Sequence, residues 1–301
     1  MEMHAYYVDE RLVEVAVCYG IMDTAMPPFP MTVHQLLSFN LGGAEITGDA
    51  EGLNAPVAAC AMTEGGRRLG KGPGRIVFVY MITGAMNRVL GLDPATLVRP
   101  RAIEAGESTV IDQLLPELVR VRNDRRAIVE TIDTHFRAAL DDAPPPDAAD
   151  AALALIACEG ETSVPAMANH LGISQRTLQR RFRNRFGCSP SRYLRHLRLM
   201  RSHQGSLRDI AWSHVPPELD YFDQPHWLRD LREIYGTNPT ELQGHQQADW
   251  QPYPPGCFDP DGAVSQDWQG AYFARMRALW IGRRRELVAG LANHRSGSGS
   301  I

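Results

Sequence analysis

Residues 163–206 read SVPAMANHLGISQRTLQRRFRNRFGCSPSRYLRHLRLMRSHQGS, and the rest of the chain is understood from this stretch outward. It holds no Asp or Glu, yet it carries Arg176, Arg180, Arg181, Arg183, Arg185, Arg192, Arg195, Arg198 and Arg201. In a protein of net charge -4, a purely positive run implies an anionic partner at that surface, with nucleic acid the first candidate. The apolar positions between the arginines set the local structure. Val164, Met167, Ala168 and Leu171 recur at helical spacing, Gly172-Ile173 breaks the period, and Leu178, Phe182 and Phe186 resume it. Ser174 suits the N-cap of the second helix, Ala168 is small where two helices cross, and Gly172 can take the positive φ of a tight corner.

The pattern is a helix-turn-helix. On its second helix Arg176, Gln179, Arg180 and Arg183 fall within roughly a 100° arc turned away from the Leu178/Phe182 face. Ser174 and Gln175 open the same helix and join the candidate set. Arg can bond guanine bidentately and Gln can bond adenine, so the stripe suits a major groove. An Arg-rich helix can also be a merely solvated face; the turn signature and the missing counter-charges decide against that here.

Further motifs follow in order: Gly187 to Leu194, Arg198-Leu199, Asp209-Ile210-Ala211, Tyr221 to Trp227, and Tyr235-Gly236-Thr237-Asn238-Pro239. Over about residues 148–246 the chain resembles the DNA-binding domain of AraC/XylS-type transcription regulators. The resemblance implies two helix-turn-helix units joined by a long helix, reading one face of double-stranded DNA. Matched position by position, it picks Arg176, Gln179 and Arg180 in the first unit and Pro225, His226 and Arg229 in the second. Ser189-Pro190 opens the joining helix as N-cap and N1, Tyr193, Leu194, Leu197 and Met200 bury one face, and Arg192, Arg195 and Arg201 stay outside, with Arg192 and Arg195 in the DNA-binding set.

The second unit departs from the pattern. Trp212 to Asp220 stands where a shorter glycine turn is usual, and Pro225 stands in the first turn of the reading helix, where its missing N–H is harmless. Glu218, Asp220, Asp223 and Asp230 make its surroundings more acidic. The first unit is therefore expected to carry most of the affinity, with the second acting through Arg229 and His226.

Ahead of this lies a different kind of sequence. Arg11 to Tyr19, Val33 to Phe39, Val57 to Met62 and Arg75 to Tyr80 are short apolar runs that read as strands. Pro27-Pro28, Gly42-Gly43, Gly65-Gly66 and the Gly70 to Gly74 stretch punctuate them, and none has the spacing of a phosphate loop. Ala85 to Leu90 then begins a helix, and Val110 to Leu140 carries an amphipathic pattern long enough for two. The expectation is a β-sandwich or barrel followed by helices. This order, with Ser38 to Gly43 and Phe78-Val79-Tyr80 before Gly84-Ala85, is similar to the N-terminal domain of one AraC-type subgroup, which implies a cupin-like sensor or dimerisation module.

Asp141 to Pro146 ends the preceding helix and holds an extended spacer. The expected division is 1–143 for the sensing or dimerising domain, 144–246 for the double helix-turn-helix, opened by a helix over Ala148 to Cys158, and 247–301 for an extension. In that extension Trp268, Tyr272, Phe273, Met276, Leu279 and Trp280 fall at helical spacing, ahead of a Ser/Gly-rich tail. The fold class is α+β.

Composition excludes other classes. At 301 residues and 44% hydrophobic content two cores are affordable, no apolar run is long enough to span a membrane, and no signal peptide is indicated. The cytoplasm is the expected location. Cys18, Cys60, Cys158, Cys188 and Cys257 are scattered without disulfide or zinc spacing. His4 and His34 are isolated, and no nucleophile motif occurs, so catalysis, metal and cofactor are not expected. The reading is a sequence-specific transcription regulator with double-stranded DNA as partner. A small-molecule effector, a polymerase contact and a homodimer are left open, as is an adaptor that has lost DNA reading.

Overall fold

Six short strands, β1 (Met3–Tyr6), β2 (Ala16–Met22), β3 (Gln35–Asn40), β4 (Val57–Cys60), β5 (Ile76–Met81) and β6 (Arg101–Ala102), form one antiparallel sheet in the order β1-β2-β5-β3-β4-β6. The computed structural model describes residues 3–6, 8–23, 35–42, 55–60, 74–82, 84–97, 101–145, 147, 149–150, 152, 163–206, 224–235, 238 and 282. Val79 pairs with Tyr19 on one side and Leu37 on the other, so Tyr19, Ile21, Leu37, Phe39, Val77 and Met81 share a face. That face joins one core with the helices α1 (Ala85–Leu90), α2 (Thr109–Arg120) and α3 (Arg125–Asp141). Leu36, Ser38, Ala58, Cys60, Ile76 and Phe78 on the other face are buried too. Burial on both sides explains why these strands read as continuous apolar runs rather than alternation.

The expected order of a β-unit followed by helices holds. The strand expected from Arg11 begins later, at Ala16, because residues Glu10–Leu12 form a 3-10 turn. Asp9 causes this: its Oδ1 accepts the Arg11 N–H at 2.9 Å, a local bond that competes with strand pairing. β1 and β6 were not expected. They are edge strands of four and two residues, and pairing with β2 and β4 supplies the order their sequences do not specify.

The pair of helices expected over 110–140 is present. Ser108 caps α2 and Asp124 caps α3, each accepting the N–H three residues on. Helix α3 ends at Asp141, ahead of the prolines at 144 and 145. A second 3-10 turn, Pro94–Leu97, lies between α1 and β6.

A second core belongs to α4 (Val164–His170), α5 (Gln175–Phe186) and α6 (Pro190–Ser206). Met167, Ala168, Leu178, Phe182, Phe186, Tyr193 and Leu194 fill it, together with Ala149 and Ala152 from the segment before α4. Phe182 stacks edge-on against Phe186 and Tyr193, with centroids 4.4 and 5.7 Å apart. Helix α7 (Gln224–Tyr235) packs on α6 and buries Trp227, Asp230, Leu231 and Ile234.

Cys18, Cys60 and Cys188 are buried and form no disulfide with one another. The glycine pairs at 65–66 and 70–72, most of the helix expected over 148–158, the connection 207–223 and the extension 247–301 apart from 282 lie outside the described residues. No helix among those described is long and apolar enough to cross a membrane.

Candidate nucleic-acid interface

The corner between α4 and α5 is built from local bonds. Ser163 caps α4 through the Ala166 N–H at 3.3 Å, and α4 closes with the Leu171 N–H on the Met167 carbonyl. Gly172 then takes φ 58°, a conformation that costs a side-chain-bearing residue roughly 1–2 kcal/mol. The reversal lets the Ile173 N–H reach back to the Ala168 carbonyl at 3.0 Å. Ser174 is extended and its Oγ accepts the Thr177 N–H at 3.1 Å, which starts α5. Ala168 is buried where the helices meet, as expected from its size.

With Leu178, Phe182 and Phe186 inward, Ser174, Gln175, Arg176, Gln179, Arg180, Arg181, Arg183 and Asn184 are exposed. Arg176, Arg180, Arg181 and Arg183 make no ion pair with any described residue, and no acidic residue stands in the first turn. The helix therefore presents positive charge and hydrogen-bond donors along its outer side, with unpaired N–H groups at its start. Arg181 and Asn184 belong to this surface as well, and the arc drawn from the sequence was too narrow to include them.

Arg185 and Arg195 turn away from it. Arg185 is bonded to Asp150 and Asn87. Arg195, expected in the DNA-binding set, instead bonds Asp230 through Nε at 2.8 Å and also bonds Glu233, both on α7. These two carboxylates raise the Arg195 pKa further, Glu233 having the larger effect, and Arg195 in turn lowers that of Glu233. Arg195 is thus a tie between α6 and α7. Its neighbour His196 is buried, and its Nδ1 has no hydrogen-bond partner among the described residues. Arg192, one turn earlier, is exposed as expected.

On α7 the buried residues Trp227, Asp230, Leu231 and Ile234 leave Pro225, Arg229, Arg232 and Glu233 outside, with His226 half-buried. Pro225, Arg229 and Arg232 recur at i, i+4, i+7 and line one shallow groove of about 520 Å³ with Leu228 and Glu233. Arg232 was missed from the sequence; its spacing from Arg229 was the available signal. Of the acidic residues expected around this second unit, Glu218, Asp220 and Asp223 lie outside the described residues, while Asp230, together with Glu233, is engaged by Arg195. Among the described residues no group of three or more His, Cys, Asp or Glu is placed to hold a metal.

Residues 167–245 match a family model described as a helix-turn-helix domain. No curated protein matches the chain. Among solved structures, an apo single-residue variant of ToxT from Vibrio cholerae strain SCE256 is 10% identical over 80% of this chain and 96% of its own, with a TM-score of 0.37. ToxT from Vibrio cholerae at 1.65 Å is 10% identical over 75% and 98%, with a TM-score of 0.41. ToxT from Vibrio cholerae O395 bound to (E)-4-(8-methylnaphthalen-1-yl)but-3-enoic acid is 9% identical over 75% and 98%, with a TM-score of 0.40. The Gly172 corner and the capped α5 agree in kind and in place with the start of the matched segment, residues 167–245, which is a helix-turn-helix domain.

Proposed function

We propose that this chain is a sequence-specific DNA-binding regulator of transcription that reads the major groove with α5 and, more weakly, with α7. One observation carries the reading: Arg176, Gln179, Arg180 and Arg183 stand exposed and without ion pairs among the described residues, on the helix that follows a Gly172 corner. Arg176, Gln179 and Arg180 face base edges, and each good bidentate contact is worth about 1–3 kcal/mol of discrimination. Ser174, Gln175, Arg183 and Arg192 supply phosphate contacts, which make affinity fall with salt. Arg229, Arg232 and His226 act from α7. Arg195 is a positioning residue here, because its guanidinium is already engaged by Asp230 and Glu233.

The functional division runs 1–143, 144–246 and 247–301, with the first part sensing a small molecule or a partner. Selection of bound fragments from genomic DNA, followed by footprinting, tests the reading. Protection of a defined sequence supports it. Weak, uniform retardation abolished by moderate salt would instead indicate an adaptor that no longer reads bases.

A further inference from the structure

We propose that the N-terminal sheet-and-helix unit aims the first reading helix, with Asn87, Asp150 and Arg185 as positioning residues; this rests on the DNA-reading role given above to α5. Arg185 lies on the same basic helix as Arg176 and Arg180 but turns inward, its side chain only 11% exposed. Its Nε and Nη2 donate to the two oxygens of Asp150 at 3.3 and 3.0 Å, and Nη1 donates to Asn87 Oδ1 at 3.0 Å. Asn87 sits on α1, and its amide is oriented by Nδ2 donating to the Leu92 carbonyl at 3.3 Å. Three points of contact on a planar guanidinium set direction as well as distance.

On either side of this tie the two units approach too closely for side chains. A Cβ on Gly84, at the start of α1, would lie 2.6 Å from the Phe186 ring. A Cβ on Gly187, which closes α5, would lie 2.5 Å from the Pro94 carbonyl oxygen. Arg88, also on α1, bonds the Pro144 carbonyl at 3.1 Å and so holds the connecting segment against the same helix.

Helix α1 is in turn fixed to the sheet. Gln35 of β3 is fully buried, and its Oε1 accepts the N–H groups of Gly84 and Met86 at 3.2 and 3.0 Å. Hydrogen bonds and α1 itself therefore connect the sheet to the C-terminal end of the reading helix. That end is the fulcrum. Arg176 lies about 14 Å along α5 from Arg185, so a tilt of about 5° at the tie displaces it by about 1 Å. Displacement on that scale breaks a bidentate base contact while leaving the general attraction to phosphate in place.

The full chain carrying Asn87→Ala tests this, compared with wild type and with Asn87→Asp, which keeps an acceptor facing Arg185. Two readouts are taken: competition between a selected site and random duplex, and amide exchange along the chain. In Asn87→Ala, preference for the selected site is expected to fall about tenfold, with affinity for random duplex and its salt slope unchanged. Exchange is expected to rise over residues 178–188 while residues 111–118 and 128–136 stay protected. Asn87→Asp is expected to restore both. Unchanged exchange over 178–188, or equal losses on selected and random duplex, would overturn the proposal. A wild-type chain with no site preference would sink the DNA-reading role instead, and the exchange readout would still decide whether Asn87 holds α5.

Discussion

Arg195 and Asp230 are joined across the α6–α7 contact, with Arg195 Nε 2.8 Å from an Asp230 oxygen that belongs to a side chain almost wholly removed from solvent. Removing the guanidinium would take a charge partner from that buried carboxylate. Arg195→Ala is therefore expected to destabilise the protein by about 3 kcal/mol in chemical denaturation. The Arg195→Ala, Asp230→Ala double variant should lose less than the sum of the singles, since both singles break the same ion pair. In gel-shift titrations on folded protein, the salt slope of Arg195→Ala should match wild type, which separates a tie from a phosphate contact.

The outer side of α5 makes a different prediction. Arg180→Ala should relax preference at one base position and cost about 1–3 kcal/mol on the selected site. Arg192→Ala should weaken all sequences alike and reduce the salt slope by about one. Footprints and competition titrations across several salt concentrations distinguish the two, and identical losses for both variants would contradict the roles assigned.

His196 gives the protein an acid sensitivity. Burial, reinforced by Arg192 and Arg195 and opposed by Asp230, lowers its pKa from 6.5 to about 4, so it is neutral in the fold. The unfolded chain binds the proton first. Stability is therefore present above about pH 6.5 and is lost as pH falls toward about 4, by up to about 3 kcal/mol. Denaturation midpoints across that window should show the slope in wild type and lack this part of it in His196→Leu.

Two glycines with similar backbone angles separate conformation from contact. Gly91 (φ 71°) and Gly187 (φ 75°) both close helices, but a Cβ on Gly91 meets nothing within 4 Å among the described residues, whereas on Gly187 it strikes the Pro94 carbonyl. Gly91→Ala should cost about 1 kcal/mol and Gly187→Ala about 2–4 kcal/mol by thermal unfolding. Equal costs would mean that α5 does not press on the 94–97 turn.

Much of the candidate interface was legible because its determinants are close in sequence. The Ser174 cap, the Gly172 corner and the Leu178, Phe182, Phe186 period each act within a few residues, and the structure realises all of them. The helices over 85–90 and 109–141 were legible for the same reason. The strand expected from Arg11 was displaced by a side-chain bond from Asp9, and β1 and β6 exist only through their partners. Arg232 was within reach of the periodicity argument that selected Arg229.

By itself, the sequence determined that residues 163–186 form a capped, glycine-cornered helix pair with a carboxylate-free outer face. Hydrophobic period and local hydrogen bonding are sufficient for that. Which arginines remain on that face was decided only by tertiary structure. Arg185 and Arg195 look like their neighbours in the chain, yet each finds a carboxylate 35 residues away, and Arg185 finds an amide 98 residues away. An ion pair depends on where the backbone brings two groups together, and spacing along one helix cannot report that.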